Sequence, residues 1–537
     1  MTSAPQTPTT LYCNARVYSP GSPFATAFLV EDGRVAWIGS EDAAASFNAA
    51  RTVDLGDALA TPAFVDAHVH ATATGLNLIG PDLAGAASLT AALDTVAGYA
   101  EAHPGAPILG HGWDETAWPE GRPPTVAELD RAAGGALAYL SRVDKHSALA
   151  SSALRAAAPD LPGLAGYLED GPLSVDAHHA VRAVALGTLT PAQRDAAQRA
   201  TRASAAGLGI GALHECGGPQ IAGEDDFTGL LALAAAEPGP EVYGYWGELL
   251  GAARARELGA KGAGGDLFAD GAIGSRTACL HAPYADATGS GHGYLDADAV
   301  AAHLIDCAEH GVQGGFHAIG DAAITAVLDG FGTAAVKIGV ERLRAARHRI
   351  EHAEMLDTAS IKRMVEFGVV ASVQPAFDAA WGGESGMYAQ RLGTARALTL
   401  NPFGALAGVG VPLAFGSDSP VTPLDPWGAV RAAAYHRNPR HAISVRAAFA
   451  AHTRGGWRAL GRDDEGVIAP GAPATFAVWA ADEVVVQAPD ERVSRWSTDP
   501  RSAVPGLPGL TPGATLPTCL RTVVRGQTIF GEGGAER

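Results

Sequence analysis

Between residues 63 and 416, short apolar runs alternate with alanine-rich helical stretches, and this alternation limits the fold more than any other feature. The runs are Ala63–Val69, Ile108–Gly112, Ala138–Val143, Ile210–His214, Asp266–Ala269, Gly314–His317, His348–His352, Val369–Val373 and Pro412–Gly416. Stretches such as Ala299–His310 and Ala322–Phe331 separate several of them. Strand–helix alternation on this scale predicts a parallel sheet with helical crossovers. Its size suits an α/β fold of the (β/α)8 TIM-barrel type better than an open sheet, although periodicity alone does not separate the two. Nine candidate strands for eight places put at least one in an insertion, and residues 72–200, with long helical and loop-rich segments, are the natural place for it.

The chain ends read differently. Ala27–Val30 and Val35–Ile38 flank Glu31-Asp32-Gly33-Arg34, and Asp-Gly between apolar runs signals a hairpin. Ala474–Trp479, Glu483–Val486 and Leu520–Phe530, with a turn at Gly526, are a second β-rich piece. Neither piece buries a sheet face alone. The expectation is a small β-sandwich built from both termini, residues 1–60 and 465–537, around a barrel at 61–464.

Composition excludes several classes. Apolar residues make up 47% and charged residues 18% of 537, enough for a large core. A net charge of −19 argues against binding nucleic acid, which needs a basic face to replace counterions. Cysteines 13, 216, 279, 307 and 519 form no C-x-x-C pair, so reduced thiols in a cytoplasmic protein are expected. The start MTSAPQTPTT has neither the basic nor the apolar region of a secretory signal, and no run reaches the length of a membrane span. G-x-x-x-x-G-K-[ST] and G-x-S-x-G are both absent, which disfavours a phosphate loop and a serine hydrolase.

The segment Phe64-Val65-Asp66-Ala67-His68-Val69-His70 carries the most chemistry. Alternate residues of a strand face the same side, so His68 and His70 project together with Asp66 one step behind. Two imidazoles at a strand end can share a divalent metal, although H-x-H is a short pattern that also arises by chance. Three further residues sit where a predicted strand gives way to a loop: His317, His352 and Asp418. In a barrel those ends converge on one mouth. A core histidine or a helix-capping aspartate explains any one of them, and explains the whole set less well.

This ordered set, Asp66-Ala67-His68-Val69-His70, His317, His352 and Asp418, resembles the metal-dependent amidohydrolase superfamily. The phrases Phe268-Ala269-Asp270-Gly271-Ala272-Ile273-Gly274-Ser275-Arg276-Thr277-Ala278, Pro283-Tyr284, His317-Ala318-Ile319-Gly320-Asp321 and Arg349-Ile350-Glu351-His352 are similar to a long-insertion subgroup that includes N-substituted formamide deformylases. The resemblance implies ligands His68 and His70 from the first barrel strand, His317 from the fifth, His352 from the sixth and Asp418 from the eighth. It implies a divalent metal, zinc foremost, that acidifies a water, with His352 and Asp418 in the catalytic set and Asp418 moving the proton to the departing nitrogen. Many relatives carry a bridging lysine where this chain has Asp266. Asp266 is therefore a candidate sixth ligand, with one ion favoured and two left open.

Weaker candidates line the expected pocket. Arg276 offers a planar fork for a substrate carboxylate, Trp113 a wall, and Asp144, His146 and Gln374 polar contacts, with Trp381 nearby. Loop bracing or core packing accounts for each equally well. Cys216 reads as an inert buried thiol rather than a bridge. The expected activity is hydrolysis of a small molecule at a non-peptide C–N bond (amide, formamide or cyclic amide). Deamination of a heterocyclic amine is the runner-up, and a lyase or isomerase is more distant. No nucleic-acid or membrane partner is expected, and the resemblance adds a possible homodimer.

Overall fold

The computed structural model describes residues 9–143, 147–485 and 505–531. Contacts divide the chain into two units: residues 71–201, and residues 1–70 with 202–537.

The larger unit holds a sheet of eight parallel strands in strict chain order. We label them β1 (Phe64–Val69), β2 (Ile210–Gly217), β3 (Glu241–Trp246), β4 (Gly262–Ala263), β5 (Gln313–Ala318), β6 (Arg349–His352), β7 (Val370–Val373) and β8 (Leu413–Phe415). The sheet closes on itself where the Asp418 N–H donates to the His68 carbonyl at 2.8 Å and the His70 N–H to the Ser419 carbonyl at 3.0 Å. This is the expected (β/α)8 barrel. Helices such as Ala297–His310 and Asp321–Ile338 pack outside it and bury Val300, Leu304, Ile324, Val327 and Phe331 against Phe316 of β5. Among the described residues no single helix is long and apolar enough to cross a membrane.

Two of the nine candidate strands, Ile108–Gly112 and Ala138–Val143, lie outside the barrel sheet: Ile108–Trp113 and Ala138–Arg142 pair with each other in a four-stranded sheet within residues 71–201. Apolar alternation reports a strand but not the sheet it joins. The third barrel strand, Glu241–Trp246, was not anticipated, although its Val242, Tyr243, Tyr245 and Trp246 are strong strand formers. Asp266–Ala269 touches the sheet through one bridge, Phe268 to His317, and the fourth strand is the two residues Gly262–Ala263 just before it.

The terminal strands join in one seven-stranded sheet in the order 527–530, 518–524, 476–480, 51–62, 10–17, 27–31, 34–39. Phe28 and Phe476 lie three strands apart in that order, a span of about 14 Å if the sheet were flat. Their ring centroids are 5.0 Å apart, with Tyr12 5.0 Å from each. The sheet therefore curls until its two halves face each other. The Val35 N–H donating to the Ala472 carbonyl at 2.9 Å helps fasten the fold-over. The expected sandwich is thus one continuous sheet rolled on itself.

Within residues 71–201, Trp113, Leu83, Leu89, Val96, Ile108, Leu129 and Leu140 form a core of their own.

Candidate metal centre

Four histidines and two carboxylates meet at the C-terminal ends of the barrel strands. His68 projects from β1 and His70 follows it, as strand alternation requires. His352 ends β6 with φ +69°, and Asp418 follows β8 with φ +53°. Left-handed backbone is costly for such residues and collects at functional sites. It has a local reason at His352. Glu351 already faces the barrel interior, so regular strand geometry would send His352 outward, and the reversal of φ returns it to the mouth.

Asp266 arrives by a different route. After the two residues of β4, Gly264 (φ +154°) and Gly265 (φ +77°) turn the chain inward, with Gly264 packed on Gly315 so closely that a Cβ would overlap its backbone. The bend places Asp266 among the histidines. Its Oδ2 lies 3.1 Å from His70 Nε2, and its Oδ1 lies 3.3 Å from His317 Nδ1 and 3.5 Å from both His352 Nε2 and His68 Nε2. Asp418 Oδ1 lies 3.1 Å from His70 Nε2 and 3.6 Å from His68 Nε2.

These spacings fit a divalent ion. Ligand atoms about 2.0–2.1 Å from a tetrahedral centre lie about 3.3–3.4 Å from one another. The Nε2 atoms of His68 and His352 are buried with no hydrogen-bond partner, a costly state unless something accepts their lone pairs. The opposite ring nitrogens are pinned: His68 Nδ1 to Glu351 Oε2 at 2.9 Å, His70 Nδ1 to the Cys216 carbonyl at 2.9 Å, and His352 Nδ1 to Gln374 Oε1 at 2.9 Å. His317 presents the other face, with Nε2 3.3 Å from the Gly271 carbonyl. Each ring is thereby held with one nitrogen turned to the centre, as outer partners do at metal sites. Among the described residues the donors group as His68, His70 and Asp266, as Asp266, His317 and His352, and as His68, His352 and Asp418, so Asp266 is common to the first two.

Electrostatics agree. Burial opposes ionisation of Asp266, but His68, His317 and His352 hold its carboxyl well below the usual range. Burial also opposes protonation of His70, yet Asp266 and Asp418 raise its pKa well above the ordinary value. A cation entering this site displaces protons, so its binding depends on pH. Burial pushes the Cys216 thiol up, and that thiol groups with His68 and Glu351 rather than with Asp266 or Asp418.

Several supporting residues carried no sequence assignment. Asp66 accepts the Ser417 N–H at 2.9 Å and the His68 N–H at 3.2 Å, tying the loop after β8 to β1. Asp270 accepts the N–H groups of Ile319, Gly320 and Cys279 at 3.0, 2.8 and 2.9 Å and so shapes the loop after His317. Arg349 and Glu351 are fully buried and ion-paired at 2.8 Å. Their period-two spacing ahead of His352 was the available signal. Glu354, raised by burial to about 7, lies two residues beyond His352.

The candidate substrate contacts fare unevenly. Gln374 is beside the centre, holding His352. Arg276 is turned to Asp286, with Nε and Nη2 at 2.9 and 2.8 Å from its two oxygens, and Arg391 donates to the same carboxylate at 2.6 Å. Its fork thus braces the loop after β4 instead of standing open for a substrate carboxylate. Trp113 is buried in the core of residues 71–201, with Nε1 donating to the Leu140 carbonyl at 2.8 Å, so its ring packs that core and is not a free wall. Asp144 and His146 lie outside the described residues. Phe377, after β7, lies nearly parallel to the His352 ring at 9° and 6.0 Å, and Trp381 packs on Phe377 at 4.8 Å.

Comparison with known proteins accords with this geometry. Protein LONG AFTER FAR-RED 3 of Arabidopsis thaliana is 27% identical over 523 residues, covering 87% of this chain and 86% of its own. An uncharacterized metal-dependent hydrolase from Pyrococcus furiosus matches with a TM-score of 0.73 at 25% identity, over 88% of this chain and 98% of that one. Atrazine chlorohydrolase from Arthrobacter aurescens TC1 shares the fold, with a TM-score of 0.51 at 16% identity over 97% and 95% of the two chains. The Pyrococcus match supports a metal-dependent hydrolase, and the atrazine chlorohydrolase match shows the fold alone. A family model described as "Amidohydrolase family" matches residues 51–530, and over nearly its whole length the chain belongs to that family.

Proposed function

We propose that this protein hydrolyses a non-peptide C–N bond of a small neutral molecule, an amide, formamide or cyclic amide. The observation that carries the reading is the Asp266 carboxylate set within 3.5 Å of ring nitrogens from β1, β5 and β6. Its position between two donor groups favours two ions over one, and imidazole with carboxylate favours zinc. A cation held there supplies Lewis acidity toward the substrate carbonyl and brings the pKa of a water near 7.

The chain's own residues supply the rest. Asp418, buried and 3.1 Å from His70 Nε2, takes the proton of the attacking water and delivers it to the departing nitrogen. Gln374 keeps the His352 ring in one orientation. Phe377 and Trp381 give that side of the mouth an apolar wall, and Arg276 is already neutralised by Asp286. Both features suit an uncharged substrate, in keeping with the resemblance to N-substituted formamide deformylases.

Elemental analysis of purified protein, followed by a screen of N-formyl and N-acyl amines in H2(18)O, tests the reading. The expected result is bound zinc and a carboxylate product that carries one solvent oxygen beside a free amine. Free ammonia from a heterocyclic amine would point instead to deamination. Turnover without solvent oxygen in any product would rule out hydrolysis.

A further inference from the structure

The interior of a (β/α)8 barrel is usually filled by branched apolar side chains. Here the guanidinium of Arg349 is buried among the strands together with Glu351 and His214. Arg349 of β6 is fully buried, and its guanidinium contacts four other strands, three through its nitrogens. Nη2 lies 2.6 Å from the Ala67 carbonyl on β1 and 2.8 Å from Ser372 Oγ on β7. Nη1 lies 2.9 Å from His214 Nδ1 on β2, and the guanidinium carbon stands 4.3 Å from the Tyr245 ring centroid on β3. On its own strand, Nε and Nη2 lie 2.8 and 2.9 Å from the two oxygens of Glu351.

The roles in this group are forced. A guanidinium only donates, so Glu351 and His214 Nδ1 must accept. Glu351, filled with donors from Arg349, can only accept from His68 Nδ1 at 2.9 Å. The His68 proton therefore stays on Nδ1, and Nε2 is left facing the carboxylates. Arg349 also grips the residue before each of two ligands: Ala67 before His68, and Glu351 before His352. Burying such a pair costs several kcal/mol per ion and is weak grounds for stability.

We propose that Arg349 is a positioning residue for the metal centre, fixing the tautomer of His68 and the spacing between His68 and His352. The inference rests on the metal centre proposed above and does not depend on which bond is cleaved.

The test replaces the pair by apolar residues, Arg349→Met with Glu351→Leu, and separately changes Arg349→Lys, which keeps a cation but loses the fork. Zinc affinity is read by chelator competition, Co(2+) coordination by visible absorption, and the fold by the melting temperature of chelator-treated protein. Both variants should bind zinc about 10- to 100-fold more weakly, as outer partners of metal ligands do when altered. Arg349→Lys should also show a changed Co(2+) spectrum, which a purely structural residue would not produce. Wild-type zinc affinity in either folded variant overturns the proposal. Should the double variant fail to fold, Arg349→Lys alone decides. A wild-type protein that binds no divalent cation would overturn the metal centre itself.

Discussion

Asp266 presents Oδ2 to His70 Nε2 at 3.1 Å while Oδ1 faces His317 Nδ1 at 3.3 Å. One short carboxylate thus joins donors from opposite parts of the barrel mouth.

Asp266→Ala removes that shared donor. Bound zinc should fall from two ions per chain to one or none, while the far-ultraviolet circular dichroism stays unchanged. Elemental analysis after gel filtration checks this, and unaltered stoichiometry would return Asp266 to a structural role.

His68→Ala with His70→Ala empties the β1 side of the centre. The double variant should lose most of its metal and all hydrolysis yet remain folded, because the barrel's outer core involves neither ring. Dichroism alongside metal content separates lost ligands from a lost fold.

Asp418→Asn keeps the shape and removes the base. We expect kcat to drop by about 10²- to 10⁴-fold, the range for a lost general acid–base. Burial opposes ionisation of Asp418, yet His70, His68 and His352 hold its pKa below the ordinary value, so the carboxylate is available throughout the neutral range. A loss of tenfold or less would assign the proton transfer to another group.

A pH prediction concerns a histidine away from the centre. Burial holds His348 down to about 4 from an ordinary 6.5, and its Nδ1 accepts the Gly314 N–H at 2.8 Å. The unfolded chain takes up this proton near 6.5 and the folded chain only near 4. Between those values the unfolded state binds more protons, so stability falls as pH falls, by about 3 kcal/mol at the acid end. Melting curves of chelator-treated protein from pH 8 to 4 should be less steep in pH for His348→Gln than for wild type. Parallel curves would show that His348 does not contribute.

Much of this was legible in the sequence because strand ends are local features. His68 and His70 lie at the end of one short apolar run and His317, His352 and Asp418 at the ends of three others, and a barrel gathers such ends wherever they lie in the chain. Asp266 was harder to read. Its run looks like a strand, but Gly264 and Gly265 pull it off the sheet, and only that departure carries it inward. Arg276 and Trp113 misled for a related reason. A guanidinium or an indole near a predicted mouth looks available until its partner is known, and Asp286 and the Leu140 carbonyl lie in parts of the chain that pattern cannot pair with them. The Arg349 hub depends on four other strands and leaves only a period-two trace in Arg349-Ile350-Glu351.

The joint between the first and eighth strands is made by the ligand-bearing segments themselves, Asp418 N–H on the His68 carbonyl. Closing the ring therefore also brings Asp418 up to His68 and His70. An ion bound there would act as a clasp, adding its binding energy to the fastening of a cylinder that the backbone already closes, so loaded protein should melt above chelator-treated protein.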